Sequence, residues 1–476
     1  MQIKIDRSLH MLGLILVITF IGIIATVIIN SCQLNQTKQN RAKMEITPVI
    51  SDLDDVEEAP FIPVEKASTV VVSPGTLKGF SAPVLTDAPA PVNSIKANTI
   101  IDNLLFAMKY FARVPESDEM TSSVFVWDAE TGYYIADSGA IASQIMALSR
   151  NARYLLILKL YQTYFPSTHY FDDDSQRVKR ILDKFVDPET LNSIISSESF
   201  YSVYIPDQIY YDLFWLYEIT GEGKYRDAAL TIADKHSDII FRQAVVIKNN
   251  RDRSDKVRMF NDAALGYIYG KEIGKLDLQE DARLVMDELI EELWADKYSL
   301  LYTDVTIGSL GNITTTFITN DQMHALAGMI RYAEASGDKR VEDLARKILE
   351  SLANGSNPVC DTVNQGFYRR YNGDSRSPHK DYKLAEDHLV FLEALIKLNI
   401  LNDGKFDDML NYHYEWLENY LYDTTNNAIY FSYDETWKPY KYANNRPVVS
   451  VDAILDFILL TLEDRIFRTE KKLGIS

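Results

Sequence analysis

Five aspartates recur along the chain at intervals of 55 to 66 residues: Asp207, Asp262, Asp321, Asp387 and Asp452. Each opens an apolar segment after a short polar turn, as in Pro206-Asp207-Gln208, Asn261-Asp262, Asn320-Asp321-Gln322, Glu386-Asp387 and Ser450-Val451-Asp452. Carboxylates gathered in one place can divide the work of glycoside hydrolysis. One protonates the leaving oxygen while the other attacks or activates water. A helix N-terminus keeps a first-turn carboxylate ionised, which suits a base or nucleophile. A general acid needs burial instead, and Glu386, beside Asp387, is the candidate for that role. The competing reading is that each aspartate merely caps backbone N–H groups.

Two histidines follow the later aspartates closely, His324 after Asp321 and His388 after Asp387. They could act as a proton-transfer or substrate-binding pair on neighbouring helices. Alternatively, they are hydrogen-bonded members of a cleft wall. With Asp321, Asp387 and Glu386 they make up the expected catalytic set. The expected substrate-binding set is Asp207, Asp262, Asp452, Trp127, Trp437 and Arg369. Sugar rings stack on aromatic faces, and Trp127 and Trp437 fall in expected loops, whereas aromatics at helical spacing are more often core. Arg369, followed by Arg370, could bind a carboxylate or phosphate, or lie on a solvated strand edge. Only two cysteines occur, Cys32 and Cys360, so neither a thiolate metal site nor a disulfide framework can be built. No metal or cofactor is expected.

The elements that must position these residues are helical. Ile100, Ile101, Leu104, Leu105, Met108 and Phe111 follow the spacing of one buried stripe, and the repeating block is two helices separated by a glycine break. Inner helices are expected over 138–164, 205–219, 259–273, 319–336, 385–400 and 450–467. Outer partners are expected over 97–112, 174–185, 223–247, 278–295, 338–353 and 404–421. The inner set is apolar nearly all round and the outer set amphipathic, as expected for concentric layers. A second repeat consists of an aspartate turn and a short returning strand: Asp296 before Leu301-Tyr302, Asp361 before Phe367-Tyr368, and Asp423 before Ile429-Tyr430. Trp127-Asp128 followed by Tyr133-Tyr134 reads as a diverged copy. The expected fold is all-α, an (α/α)6 toroid of six hairpins with short β connections, preceded by one transmembrane helix. An open solenoid is the alternative, but its repeats are shorter and more uniform.

Three regions follow from composition. Residues 1–32 read as a membrane anchor or signal segment, because Met11 to Thr37 carries no charge and Met11 to Asn30 is almost wholly apolar. An uncleaved anchor, a lipoprotein signal ending at Cys32 and a cleaved peptide are the three readings. All of them put the main domain on the extracytoplasmic side. Residues 33–96, rich in proline and acidic side chains, read as a disordered linker. Residues 97–476 form the toroid. That last region holds 59 acidic against 41 basic side chains within a total charge of −19, which argues against nucleic-acid partners.

The segments NDQMHALAGMIRYAEASGDKRVEDLARKIL, NQGFYRRYNGD and EDHLVFLEALIKL resemble the six-hairpin glycosidase superfamily. They are especially similar to the N-acylglucosamine 2-epimerase group and the helical part of its thioredoxin-fused relatives. The resemblance is carried by residues 200 to 440 and implies carbohydrate chemistry: hydrolases or lyases of oligosaccharides, or sugar epimerases. The expected function is that of a surface-tethered glycoside hydrolase with a carbohydrate partner. A non-catalytic glycan- or envelope-protein-binding toroid and a sugar epimerase are the alternatives. No adjacent aspartate pair stands on an inner helix, and the helix after Asp452 contains no histidine.

Overall fold

A glycine in the left-handed conformation between two helices recurs along this chain. Gly337 (φ 74°) ends one helix, and the side chain of Asp338 caps the next by accepting from the N–H groups of Arg340 and Val341. Gly221, Gly274 and Gly404 make the same left-handed break in the other copies. The computed structural model describes residues 100–105, 108, 124–128, 134–136, 141–164, 171–196, 206–247, 257, 259–302, 304–307, 313–355, 357–372, 377–379, 382–441 and 447–473. The expected anchor (1–32) and linker (33–96) lie outside the described residues. Among the described residues no helix is long and apolar enough to cross a membrane.

The inner helices are α1 (Ile141–Tyr164), α4 (Pro206–Thr220), α6 (Met259–Glu272), α8 (Thr319–Ser336), α10 (Ala385–Leu401) and α12 (Val451–Leu473). Each packs on the next, and α12 packs back on α1, so the ring closes. Outside them lie α2 (Asp172–Phe185), α3 (Pro188–Ile195), α5 (Gly223–Ile247), α7 (Leu276–Leu293), α9 (Lys339–Ala353) and α11 (Asp407–Tyr420). Residues 100–105 are helical and approach α12, where Arg465 acts electrostatically on Asp102. The closed ring is the expected toroid, and its inner helices start within three residues of the expected positions. The short helix α3 was not anticipated, although Asp187 caps it and Pro188 occupies its first turn.

Burial follows the two layers. Helix α10 buries Leu389, Val390, Phe391, Leu392, Ala394, Leu395, Ile396 and Leu398, whereas α9 buries one stripe of Val341, Ala345, Ile348, Leu349 and Leu352. Each fully buried aliphatic side chain contributes about 1.5–3 kcal/mol, so the double ring is chiefly hydrophobic in origin. The approach of α8 to α6 is close. A Cβ on Gly328 would lie 2.7 Å from Asn261 Oδ1 and 2.8 Å from its backbone nitrogen.

The connections are short antiparallel strands. β1 (Val124–Asp128) pairs with β2 (Tyr134–Ala136) and with β13 (Val448–Ser450), which runs into α12. β3 (Trp294–Ala295) pairs with β4 (Leu300–Leu301), and β10 (Tyr422–Asp423) with β11 (Ala428–Ile429). The aspartate turns are therefore hairpins. Asp361 Oδ1 accepts from the N–H groups of Val363 and Asn364 at 3.0 Å each. Asp423 repeats the pattern on Thr425 and Asn426. Trp127 stands opposite Tyr134 in the diverged copy. A four-stranded antiparallel sheet was not anticipated. It runs β5 (Asp304–Ile307), β6 (Ile313–Ile318), β7 (Arg370–Asn372), β8 (Ser377–His379). Two further short strands, β9 (Lys383–Leu384) and β12 (Ser432–Tyr433), pair with each other. Because β6 leads directly into α8, and Thr319 N donates to Arg369 O at 2.9 Å, this sheet fixes the α8 N-terminus.

Candidate active site

Several inner helices carry a stripe of charged residues, and the stripes meet. On α8 the stripe is His324 and Arg331; on α10 it is Glu386, Glu393 and Lys397; on α12 it is Asp452, Asp456 and Glu463. Spacings of three, four or seven residues put side chains on one helical face. Helix α1 contributes Arg150 and Arg153, and α4 contributes Asp207, Tyr211 and Asp212. The pairs they form span the ring. Arg150 holds Asp452 through two guanidinium contacts. Arg153 binds Asp212 at 3.0 Å and also Asp456. Arg331 donates to Asp207 at 3.0 Å and to Glu393, and its guanidinium lies 4.3 Å from the Tyr211 ring centroid.

At the upper end of these stripes, His324 Nε2 and Glu386 Oε1 are 3.2 Å apart. Burial opposes charging of His324, but the hydrogen bond and charge of Glu386, with Asp207 and Glu393, hold the imidazole above its ordinary value. Glu386 also acts on two neighbouring carboxyls. Asp456 is pushed up to about 7 by burial and by the charges of Asp452 and Glu386, against the pull of Arg153. Asp387 is pushed up to about 8 by burial and Glu386, against Asn320, Arg369 and His324. Neither Asp387 oxygen closes a hydrogen bond, and neither does Asn320 Nδ2. Glu386 was expected to be the buried acid. Instead its side chain is one-third exposed and Asp387 is fully buried, because consecutive helix residues point in different directions.

A second histidine–carboxylate pair stands nearby. His236, on the inward face of α5, lies 2.6 Å from Asp262 through Nε2, while its Nδ1 is buried without a hydrogen bond. Burial opposes its charge, and Asp262 outweighs burial to raise its pKa. Asp207 feels both His324 and His236. Thus Asp207, Asp262 and Asp452 each take a side-chain partner. Ile318 and Leu384 occupy the N-cap positions of α8 and α10 without capping through their side chains.

Other expected site residues lie elsewhere. His388 was expected to transfer protons; the structure places it in the wall. Its Nε2 accepts from Phe367 N (3.1 Å) and its Nδ1 donates to Leu384 O (3.0 Å). The ring stacks on Phe367 and Trp416, each 4.7 Å away. With burial pulling its pKa well below the ordinary value, His388 is a neutral packing residue. Trp437, expected to meet sugar, is buried edge-on against His388 and Trp416. Its Nε1 donates to Asn364 O at 2.9 Å. Trp127 lies in strand β1 rather than in a loop. Arg369 is buried with its guanidinium over Tyr382, 4.9 Å from the centroid, and acts electrostatically on Asp387. Asp321 is buried one turn before His324, and Gln322 beside it accepts from Leu301 N at 2.8 Å. Sequence reading missed Arg150, Arg153, Asp212, His236, Arg331, Glu393 and Asp456. The available signal was a charged residue recurring at helical spacing within an otherwise apolar helix.

By sequence, no protein-family model and no curated protein matches this chain. Among solved structures, it is similar to an unsaturated glucuronyl hydrolase specific for heparin, with TM-score 0.51 and 13% identity over 80% of this chain and 97% of that one. It is also similar to the cellobiose 2-epimerase of Bacillus thermoamylovorans B4167, with TM-score 0.52 and 10% identity over 77% and 99%. The likeness is one of fold alone, a closed double ring of helical hairpins.

Proposed function

We propose that this protein is a carbohydrate-active enzyme that hydrolyses a glycosidic bond of an oligo- or polysaccharide. The observation that carries this reading is the Glu386–His324 pair beside Asp456. Glu386, one-third exposed and hydrogen-bonded by His324, is the carboxylate that attacks the sugar or activates water. Asp456, whose affinity for a proton is centred near neutral pH, is the proton donor. His324 orients Glu386. Asp387 contributes a neutral carboxyl, which spares Glu386 a second negative charge next to it. The test is a screen of the full-length chain against a polysaccharide panel for released reducing ends, followed by single variants. Glu386→Gln and Asp456→Asn are expected to lose turnover by orders of magnitude, whereas Asp387→Asn, which mimics a protonated aspartate, keeps most of it below about pH 8. Loss in Asp387→Asn with turnover retained in Glu386→Gln would reverse the assignment.

A second reading, a sugar epimerase, is supported by the two carboxylate-paired histidines, His324 and His236, on either side of Asp207. Exchange of a carbon-bound hydrogen of a reducing sugar with solvent, its C–H bond broken and re-formed while glycosidic bonds stay intact, is its signature and is lost in His236→Gln. The apolar run at residues 11–30 supports attachment to a membrane with the toroid on the extracytoplasmic side. Fractionation of the native host, with protease applied to intact cells, tests that placement.

A further inference from the structure

Below Glu386 and His324 the two arginines interlock. Arg331, from α8, reaches past α6 to Asp207 on α4 and sideways to Glu393 on α10. Arg153, from α1, reaches Asp212 on α4 and Asp456 on α12. Asp212 feels Arg331 as well as Arg153, and Arg153 feels Glu393, so the two sets form one network. It joins five of the six inner helices across the lumen. The side chains of Asp452 and Glu386 are 40% and 34% exposed, whereas those of the network members Arg153, Arg331 and Asp212 are 13%, 12% and 4% exposed and that of Arg150, which holds Asp452, is 10%. Fixed ion pairs buried to that extent are held by several helices at once and make poor gates, because breaking one strands a buried charge.

We propose that the lumen is a blind pocket, floored by the Arg153–Arg331 network, which admits the terminal residue of a neutral glycan and not an internal segment. This rests on the carbohydrate reading above and adds the mode of binding. Asp207, Asp212 and Glu393 already stand against the two guanidiniums of the floor, with Asp456 hydrogen-bonded to Arg153, so a uronate or sulfate finds no bare cation there. Hydroxyl groups, which both donate and accept, match a surface of paired charges. A chain threaded through the ring would have to displace the network, whereas a chain end can rest on it.

The experiment uses the full-length chain and short linear gluco-, manno- and xylo-oligosaccharides. Each is supplied free, with the non-reducing end blocked as a cyclic acetal, with the reducing end converted to a bulky glycoside, or with both. Binding is measured by calorimetry and cleavage by product size. The expected result is that blocking one particular end lowers affinity at least tenfold and that single sugar units are released from the start. Equal binding of doubly blocked chains, or early products of mixed length, overturns the blind pocket while leaving hydrolysis standing. End-dependent binding without cleavage supports the pocket and overturns the hydrolase reading instead. Failure of every free oligosaccharide to bind overturns both. Arg331→Ala, checked for folding by circular dichroism, is expected to admit doubly blocked chains. A folded variant that still refuses them shows that the network is not the floor.

Discussion

His324 Nε2 sits 3.2 Å from Glu386 Oε1, joining the second turn of α8 to the first turn of α10 at the upper end of the lumen. The charge of Glu386 is what holds the His324 pKa up, since burial alone would lower it. In Glu386→Gln the His324 ring is therefore expected to titrate below its wild-type value, read from its imidazole NMR resonances. The linkage sign agrees. A histidine with a raised folded pKa gives stability that is full below the unfolded value of 6.5 and declines as pH rises through the folded one. An unchanged His324 titration in the variant would mean that the pair does not form in solution.

Asp387 reverses the usual behaviour of a carboxyl. Its folded pKa of about 8 exceeds the ordinary 3.8, so between those values the folded chain holds a proton that the unfolded chain has released. Its contribution to stability is full below pH 3.8 and falls with rising pH, by at most about 1.4 kcal/mol per unit. Asp387→Asn removes that slope. Its denaturation midpoint is expected to exceed that of the wild type increasingly from pH 5 to 8. A constant difference across that range would rule out a protonated Asp387.

His413 works in the opposite sense. It is buried, its Nε2 lies 3.2 Å from His388 O, and burial lowers its pKa to about 4. The unfolded chain therefore binds a proton there between about pH 4 and 6.5 that the folded chain refuses. Wild-type stability relative to His413→Phe is expected to rise with pH over that window and level off above it. Urea titrations at several pH values check this, and a flat difference would place the His413 ring in contact with water.

Gly366 adopts φ 77°, and a Cβ there would lie 2.4 Å from the Trp437 ring and 2.7 Å from His388 Nε2. Gly366→Ala combines left-handed strain with overpacking, together about 2–4 kcal/mol. The expected outcome is a lower melting temperature with a changed near-ultraviolet signal from Trp416 and Trp437. A variant as stable as the wild type would show that the hairpin does not bear on that aromatic cluster.

The sequence by itself determined the ring. Helix starts near Asp207, Asp262, Asp321, Asp387 and Asp452, breaks such as Gly337, and the turns at Asp361 and Asp423 are local signals. They act between residues a few positions apart, through capping, left-handed backbone and alternation of apolar side chains. The expected membrane segment and linker are readings of local composition and lie outside the described residues. Tertiary structure alone decided the site. Glu386 and Asp387 are neighbours of the same chemical kind at the same helix start, and only the packing of α10 against α8 sends one to the lumen and buries the other. His324 and His388 follow similar acidic turns, yet Trp416, Phe367 and the β9 backbone enclose His388 while His324 meets Glu386. The floor is assembled from Arg331 and Asp207, 124 residues apart, and Arg153 and Asp456, 303 apart. Such pairings depend on closure of the whole ring, because a guanidinium on one helix finds its carboxylates only when the helices on either side have already been brought around it.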